Sequence, residues 1–390
     1  MPRVFPFRSL VYDPAVAGPL DRVTAPPYDV ISDARLRELQ TEPRNIVRLD
    51  LAPDPGPGGD RYRSAAELLH RWTAEGVLRR EEPAFHAYEM RAGSNGMLRC
   101  VRGVFAAMEL ESWGGNVLPH EETMPGPIED RLRLLRAART HLSAVYGTVT
   151  GPCPPLADLL ERTMRGPPAG EAVDEQGVRH RRWRIEEDQP VSAWLEDQAL
   201  LIADGHHRYT TALAYREEMR AAAGPGPWDR LLTFIVDAGS EQLTVAPLHR
   251  VQLSGTPPTV GTPVASLADA LAACSDDEAV VGLVVPTRDG DIEVRVVNLD
   301  GEPPAVRALH SELIAALPPS AFRYTPDAEE AAAAVRTGNA TAAYLLPPTT
   351  PERIREVVQR GERLPQKSTY FWPKPRTGMV LMPLEGITPD

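Results

Sequence analysis

The stretch LLIADGHHRYTTALAYREEM at residues 200–219 decides how this part of the chain folds. Residues 200–203 form a short apolar run, which is typical of a buried strand. Asp204 and Gly205 favour a tight turn, and the residues after them have helical character. We therefore predict a strand, a turn and a helix, in that order.

The turn also predicts a site for an anion. The first N–H groups of a helix and the positive end of its dipole favour negative charge, and Gly205 lets a phosphate approach the backbone. His206, His207 and Arg208 stand where a cation is unfavourable by ~0.3–1 kcal/mol. Either a carboxylate compensates the positive charge of these residues or an anionic ligand binds there. A phosphate bound by the Arg208 guanidinium, with hydrogen bonds from the two histidines, accounts for all three residues. The alternative is that Asp204 is an N-cap and the histidines are surface residues.

Composition narrows the class of protein. The chain has 390 residues, 42% of them hydrophobic and 25% charged, as in ordinary globular proteins. A formal net charge of -12 argues against a partner that is a nucleic acid or a membrane surface. The three cysteines lie far apart with no CxxC pair, which disfavours disulfides and structural zinc. We find no signal peptide and no long apolar span, so we expect a cytoplasmic protein.

The length predicts two domains or one elaborated domain. A Pro/Gly-rich stretch at residues 251–263 is the best boundary candidate. We predict a motif-bearing catalytic domain at 1–250, a smaller α/β domain at 251–360 and a C-terminal segment at 361–390 that returns to the site. Helical patterns at 60–75, 128–142 and 210–223 mix irregularly with strand patterns, which indicates an α+β (mixed α/β) fold.

A second polar cluster, LPHEETMPGPIEDRLRLLRAA, covers residues 118–138. Glu121 could be a general base for a hydroxyl or a Mg²⁺ ligand. His120 could support Glu121 or bind phosphate, and both His120 and Thr123 are candidates for substrate binding. Arg131 falls in the first turns of a predicted helix, where it could receive an anion. The alternative is a solvated loop before a helix start.

A third cluster, LPQKSTYFWPKP, covers residues 364–375. Lys367, Ser368 and Thr369 can neutralise and hydrogen-bond phosphate oxygens, and Lys374 can reach a substrate. The alternative is a terminal strand that packs its aromatic residues on the core.

Two smaller motifs carry weaker signals. In TAPPYDVIS, residues 24–32, Tyr28 and Asp29 can contact a substrate, or Asp29 caps the helix that starts near residue 32. In APLHR, His249 follows a short strand and is a further candidate for substrate binding.

These motifs in this order resemble the bacterial and archaeal family called domain of unknown function 1015. The matching pieces are APPYDVIS, PHEETMPGPIEDRL, ADGHHRYTTAL, PLHR and KSTYFWPKPRTG, which span residues 25–378. Leu248 stands where a threonine is expected.

The DGHHR turn by itself is similar to the phosphate-binding step of the ParB/sulfiredoxin superfamily, which includes free serine kinases, sulfiredoxins and CTP-binding ParB proteins. This resemblance implies a ParB/sulfiredoxin-like core in which Gly205, His206, His207 and Arg208 bind phosphate. It also implies that Asp204 orients a histidine or holds Mg²⁺.

Phosphoryl transfer needs a phosphate cradle, positive charge, a divalent metal and a base, and the clusters contain residues for each. No Walker A or protein-kinase signature is present. We therefore predict a nucleotide-dependent phosphotransferase that uses ATP or ADP with Mg²⁺. Its expected acceptor is a small hydroxylated metabolite, above all serine. The alternatives are a phosphoserine phosphatase-like or metal-dependent phosphohydrolase and a nucleotide-binding regulatory protein. We expect neither a nucleic acid nor a membrane as partner, and a homodimer is possible.

The site residues are predicted in four sets. The catalytic residues are Glu121, Asp204, His206, His207 and Arg208. The cofactor-binding residues are Gly205, His206, His207, Arg208, Arg131, Lys367, Ser368 and Thr369. The substrate-binding residues are Tyr28, Asp29, His120, Thr123, His249 and Lys374. The metal ligands are Asp204 and Glu121.

Overall fold

The computed structural model describes residues 3–94, 97–123, 125–149, 154–185, 189–195, 198–237 and 243–384. The chain divides into two compact units. Unit 1 comprises Met1–Pro119, Thr123–Leu243 and Pro373–Asp390, and unit 2 comprises His120–Glu122 and Thr244–Trp372.

The strands and helices follow in chain order. The strands are β1 (Val4–Phe5), β2 (Leu10–Tyr12), β3 (Leu78–Arg80), β4 (Phe85–Ser94), β5 (Met97–Glu109), β6 (Val117–Pro119), β7 (Thr140–His141), β8 (Val145–Val149), β9 (Gly170–Val173), β10 (Arg179–Ile185), β11 (Leu200–Asp204), β12 (Arg230–Asp237), β13 (Thr244–Pro247), β14 (His249–Gln252), β15 (Thr262–Pro263), β16 (Val280–Pro286), β17 (Ile292–Asn298), β18 (Phe322–Thr325), β19 (Ala342–Leu345), β20 (Thr369–Trp372) and β21 (Met382–Pro383). The α-helices are α1 (Pro14–Ala17), α2 (Leu20–Val23), α3 (Asp33–Gln40), α4 (Val47–Asp50), α5 (Arg61–Ala74), α6 (Pro125–Ala138), α7 (Pro154–Met164), α8 (Gln189–Leu195), α9 (His206–Ala223), α10 (Leu267–Ala273), α11 (Ala305–Leu309), α12 (Ala328–Arg336) and α13 (Pro351–Gln359).

Unit 1 is built on a mixed sheet whose strands run in the order β6-β11-β8-β12-β5-β4-β10-β9, with β1 paired to β5. The strand that leads into the DGHHR turn, β11, lies between β6, to which it is parallel, and β8, to which it is antiparallel. Its Leu200 and Ile202 are fully buried in the core of the unit, which explains why the sequence there is apolar. Burial of each such side chain contributes about 1.5–3 kcal/mol, and this holds the turn at a defined place.

Unit 2 contains an antiparallel sheet in the order β15-β17-β16-β19-β14-β18 and a separate pair, β13-β20. Its core includes Val251, Val284, Leu345 and the alanine-rich face of α12. Both units mix strands and helices without regular alternation, and this confirms the predicted mixed α/β class.

The units divide the chain at different positions from the predicted boundaries. The main segment of unit 2 begins at Thr244 and not at residue 251, because β13 pairs with β20, and β14 pairs with β18 and β19. It extends past residue 360 to Trp372, because β20 pairs with β13. It also includes His120–Glu122, which the prediction assigned to the first domain.

The predicted helices are present with shifted ends. The helix predicted at 60–75 is α5, capped by the Asp60 side chain. The one predicted at 128–142 is α6, which ends at Ala138 because the chain then enters β7. In the described part of the chain no helix is both long enough and apolar enough to cross a membrane.

Candidate phosphate site in unit 1

The DGHHR turn has the predicted form of a strand, a turn and a helix. β11 ends at Asp204, and α9 begins at His206, four residues earlier than the sequence pattern indicates. Gly205 between them has φ 95° and ψ 27°, a left-handed conformation that favours glycine. A Cβ on this residue would lie 3.0 Å from Nε of Arg208. Glycine at this position therefore permits both the left-handed turn and the close approach of the Arg208 side chain to the backbone.

Two cations meet on one carboxylate at this turn. Arg208 donates hydrogen bonds to the Asp204 carboxylate and to the carbonyl of Ala144. Lys374 donates to the other carboxylate oxygen of Asp204. The three charged side chains are only 8–14% exposed. Their formal charges leave one positive charge beside the start of α9.

This arrangement decides one of the alternatives that the sequence left open. Gly205 occupies the N-cap position, and no side chain caps α9, so the interpretation of Asp204 as the N-cap is wrong. Asp204 instead compensates cations that would otherwise face the positive end of the helix dipole. Nε of Arg208 is buried and has no hydrogen-bond partner among the described residues, so this arginine keeps an unused donor.

The two histidines of the turn differ in environment. His206 is 6% exposed, and its ring stacks on that of Trp113 with centroids 6.4 Å apart. One turn along α9, the Tyr209 hydroxyl donates to the Glu111 carbonyl at 2.7 Å. His207 is half-buried. The His206 ring is thus part of the packing that fixes the first turn, while His207 remains partly accessible to a ligand.

Arg131 is held by three neighbours. Its guanidinium donates to Asp50 Oδ1 at 2.8 Å and to Asp130 Oδ2 at 2.8 Å. It also lies over the ring of Tyr28, 4.5 Å from the centroid. Arg131 is 7% exposed, so its orientation is determined by these contacts. The structure thereby brings Tyr28, a predicted substrate residue, beside Arg131.

Asp50, which is not among the residues predicted from the sequence, lines a small cavity of this candidate site. A cavity of about 50 Å³ is lined by Asp50, Arg131, Arg208 and Thr211, among others. Burial raises the pKa of the Asp50 carboxyl, although Arg131 and Arg208 oppose this effect. A shifted pKa beside a charged cavity is typical of functional sites. The signal in the sequence was an acidic residue inside the apolar run IVRLDLA, residues 46–52.

Glu121 belongs to unit 2, and its carboxylate is occupied by donors of a loop of that unit. It accepts hydrogen bonds from the backbone N–H groups of Lys367, Ser368 and Thr369 at 2.9–3.1 Å and from the Thr369 hydroxyl at 2.7 Å. Lys367 has φ 55°, which helps successive N–H groups to converge on one anion. A carboxylate held in this way does not fit a free general base or a metal ligand. Lys367, Ser368 and Thr369 are predicted to bind a cofactor, and their backbone N–H groups are bound to Glu121.

His120 and His249 are also buried in unit 2. His120 is fully buried, with Nε2 2.7 Å from the Thr369 hydroxyl. His249 is 2% exposed, and its Nδ1 accepts from the backbone N–H of Leu346 at 3.1 Å. Burial lowers the pKa of His249 to about 4, helped by Arg250, so the ring is neutral near pH 7. Neither histidine fits its predicted role as an accessible contact for substrate.

The buried neutral His249 predicts a pH dependence of stability. The unfolded chain binds a proton near its usual pKa of about 6.5, and the folded chain only near 4. The stabilisation is therefore fully present above pH 6.5 and is lost as the pH falls toward 4, by up to about 3 kcal/mol. His249→Asn keeps an acceptor for Leu346 but does not titrate. We expect urea unfolding at pH 7, 5.5 and 4.5 to show a shallower loss of stability in this variant, and an equal loss in both proteins would contradict the assignment.

The remaining predicted residues lie in unit 1. Asp29 is exposed on a 3₁₀ turn, Tyr28–Val30. The cap of α3 is Ser32, whose hydroxyl accepts from Arg35 N at 3.3 Å, so the alternative that Asp29 caps this helix is wrong. Thr123 is half-buried, just before α6.

The two predicted metal ligands do not form one carboxylate cluster within either unit, because Asp204 is in unit 1 and Glu121 in unit 2. Over the part of the chain that the structure describes, no group of three or more His, Cys, Asp or Glu side chains is arranged to hold a metal ion. The Asp204 oxygens already bind Arg208 and Lys374.

A family model described as "Protein of unknown function (DUF1015)" matches residues 4–295. The chain belongs to this family. The resemblance seen in its motifs is thus confirmed, and the family's description implies no activity.

Several solved structures are similar to this chain. A free serine kinase in complex with AMP is similar at 16% identity and a TM-score of 0.39, over 69% of this chain and 86% of that one. A free serine kinase variant in complex with ADP is similar at 15% identity and a TM-score of 0.40, over 69% and 87%. A conserved hypothetical protein from Pyrococcus furiosus is similar at 15% identity and a TM-score of 0.37, over 69% and 90%. Comparison with curated proteins finds no match.

Proposed function

We propose that this DUF1015 protein is a nucleotide-dependent phosphotransferase that binds the phosphates of ATP or ADP at the start of α9. The observation that supports this most is the meeting of Arg208 and Lys374 on Asp204 beside the left-handed Gly205. Phosphate oxygens are strong acceptors for the arginine fork and the lysine ammonium. A bound phosphate competes with Asp204 for the same two cations, and the first N–H groups of α9 add donors.

Mg²⁺ is part of this proposal. It commonly binds through one or two carboxylates together with substrate phosphates and water, so a large protein cluster is not required. Asp204 is the residue that would hold Mg²⁺ when Arg208 and Lys374 bind phosphate oxygens instead of the Asp204 carboxylate. The ion would supply charge that offsets the negative phosphate oxygens.

We propose a small hydroxylated metabolite as acceptor, with free serine as the first choice because of the resemblance of the DGHHR motif to free serine kinases. The acceptor oxygen forms a bond to the terminal phosphorus, and the bond from that phosphorus to the leaving phosphate breaks. The hydroxyl proton passes to a base. His207 is our candidate, since it is half-buried on the first turn of α9 and the Glu121 oxygens are engaged elsewhere. Arg131 lines the same small cavity as Arg208, and Asp50 and Asp130 hold its guanidinium there.

The test is an assay of the pure protein with Mg²⁺, L-serine and either ATP or ADP, followed by phosphorus NMR. We expect O-phosphoserine to form with one of the two nucleotides, and the productive nucleotide identifies the donor. A parallel mixture contains O-phosphoserine with and without AMP or ADP. Phosphate release without nucleotide would replace the proposal by a phosphohydrolase, and tight nucleotide binding without turnover would replace it by a regulatory protein.

A further inference from the structure

Unit 2 contains a cavity of about 450 Å³ within a segment whose sequence carried no recognisable chemistry. The volume lies in the range of small-molecule sites. One part of the wall is apolar, with Ile314, Leu317 and Phe322. The polar lining comprises Glu122, Arg307, His310, Ser311, Tyr324, Arg363 and Gln366. Ligand pockets combine apolar walls with polar groups that fix the orientation of the ligand.

The backbone of this wall is unusual. After α11 the chain continues as a π-helix, His310–Ile314. Short π-helical segments are rare and are frequent at functional sites, because they place side chains that a regular helix would direct elsewhere. His310, Ser311 and Ile314 of this segment all line the cavity.

A buried arginine lies directly behind the polar lining. Arg250 is fully buried, and its guanidinium donates to the carbonyls of Leu248 at 2.6 Å and Gln366 at 3.4 Å. Nη2 lies 3.5 Å from His310 Nε2, and the guanidinium lies 5.5 Å from the centroid of the Tyr324 ring. Gln366, His310 and Tyr324 are all cavity residues, so Arg250 contacts the lining at three points.

The charge of Arg250 is incompletely compensated. Among the described residues no carboxylate hydrogen-bonds to it, and its buried Nε has no hydrogen-bond partner. Burial lowers the pKa of Arg250 to about 10, while Tyr324 and Glu121 oppose this effect. A buried cation without a bonded anion is costly, and an anion nearby would offset the cost.

The charged side chains of the lining are Arg307, Arg363 and Glu122. Arg307 is paired with Glu362 at 2.7 Å, whereas Arg363 is exposed at the rim. His310 stays neutral near pH 7, because burial lowers its pKa to about 4, and it can accept or donate one hydrogen bond.

We propose that this cavity binds a small organic anion, with its carboxylate or phosphate group among Arg363, His310 and Tyr324 in front of Arg250 and its apolar part against Ile314, Leu317 and Phe322. The site belongs to unit 2 and does not rest on the proposed phosphotransferase activity. Carboxylate and phosphate share the chemistry that these groups recognise. A neutral ligand of the same shape lacks the negatively charged oxygens on which this recognition depends.

The test is isothermal titration calorimetry of the full-length protein with benzoate, phenyl phosphate and the neutral analogue benzamide. We expect one or both anions to bind, and benzamide to bind about tenfold more weakly or not at all, because hydrogen bonds to a charged group are the stronger ones. The titrations are repeated in Arg208→Ala, so that binding of phenyl phosphate at the turn of α9 is not counted. Binding of one anion alone identifies the group that the pocket takes.

Variants locate the site. Arg363→Ala is expected to weaken anion binding about tenfold, while Arg360→Ala, which replaces an exposed arginine outside the lining, leaves it unchanged. Arg250→Met should abolish anion binding. If this substitution of a buried residue prevents folding, the result for Arg363→Ala decides the test. Equal binding of benzamide and benzoate, unchanged affinity in Arg363→Ala, or no binding of either anion would each overturn the proposal.

Discussion

Replacement of Arg208 by alanine is expected to lower kcat/KM for O-phosphoserine formation by about 10³-fold, the lower end of what one arginine contributes to phosphoryl transfer. Arg208 is the residue that joins the turn, the Asp204 carboxylate and the small cavity lined by Asp50 and Arg131. Its loss removes a planar donor fork that no other described side chain at the turn supplies. Arg208→Lys should be intermediate, because lysine keeps the charge without the fork.

The matched control for this change is Arg220→Ala. Arg220 is in the last turn of the same helix, and it pairs with Asp229 at 2.7 Å at the surface. Nucleotide affinity, kcat/KM and the melting temperature are measured for all three variants. If Arg208→Ala stays folded and both its nucleotide affinity and its kcat/KM match those of Arg220→Ala, the phosphate site is not at this turn.

Replacement of Glu121 by alanine is expected to reduce the free energy of unfolding by about 3 kcal/mol, because it leaves several donors without their acceptor. The backbone N–H groups of Lys367, Ser368 and Thr369 all donate to this carboxylate. An unsatisfied donor that stays away from water costs about 1–3 kcal/mol, and partial access of water to this half-buried site reduces the total. The measurement is urea unfolding of the full chain, with the exposed neighbour Glu122→Ala as control.

Glu121→Gln separates structure from catalysis. The amide keeps one acceptor oxygen for Ser368 and Thr369, but its NH₂ group then faces the N–H of Lys367, so a smaller loss of about 1–2 kcal/mol is expected. Activity should persist in this variant at a temperature where it is folded. If turnover instead fell by roughly two to four orders of magnitude while stability stayed unchanged, Glu121 would be restored as a general base.

Local chemistry explains what could be read from the residues of the turn. A short apolar run, Asp-Gly and a helical pattern specify a strand, a turn and a helix, because burial, φ at glycine and helical periodicity act over a few residues. The motifs also led to the correct family. They did not reveal Asp50, because a single acid in an apolar run becomes informative only when Arg131 is seen against it.

The same limit applies to the second unit. Glu121 has the residue type of a general base, and His120 and His249 have that of substrate-binding residues, but the sequence places no constraint on what surrounds them. In the fold, Glu121 meets three N–H groups from a loop about 246 positions later, and His249 meets Leu346 across 97 positions. Such pairings arise from strand order and burial, so no pattern near Glu121 or His249 could have indicated them.

For this protein the sequence alone determined the mixed α/β class, the family and the cationic turn at Asp204–Arg208, because each depends on neighbouring residues. Tertiary structure decided which charges meet: Lys374 reaches Asp204 across 170 positions, and Arg131 reaches Asp50 across 81. It also decided that Glu121 binds backbone donors and that Arg250 is buried beside a cavity. The physical reason is that electrostatic and hydrogen-bond partners are selected by distance and burial in the folded chain.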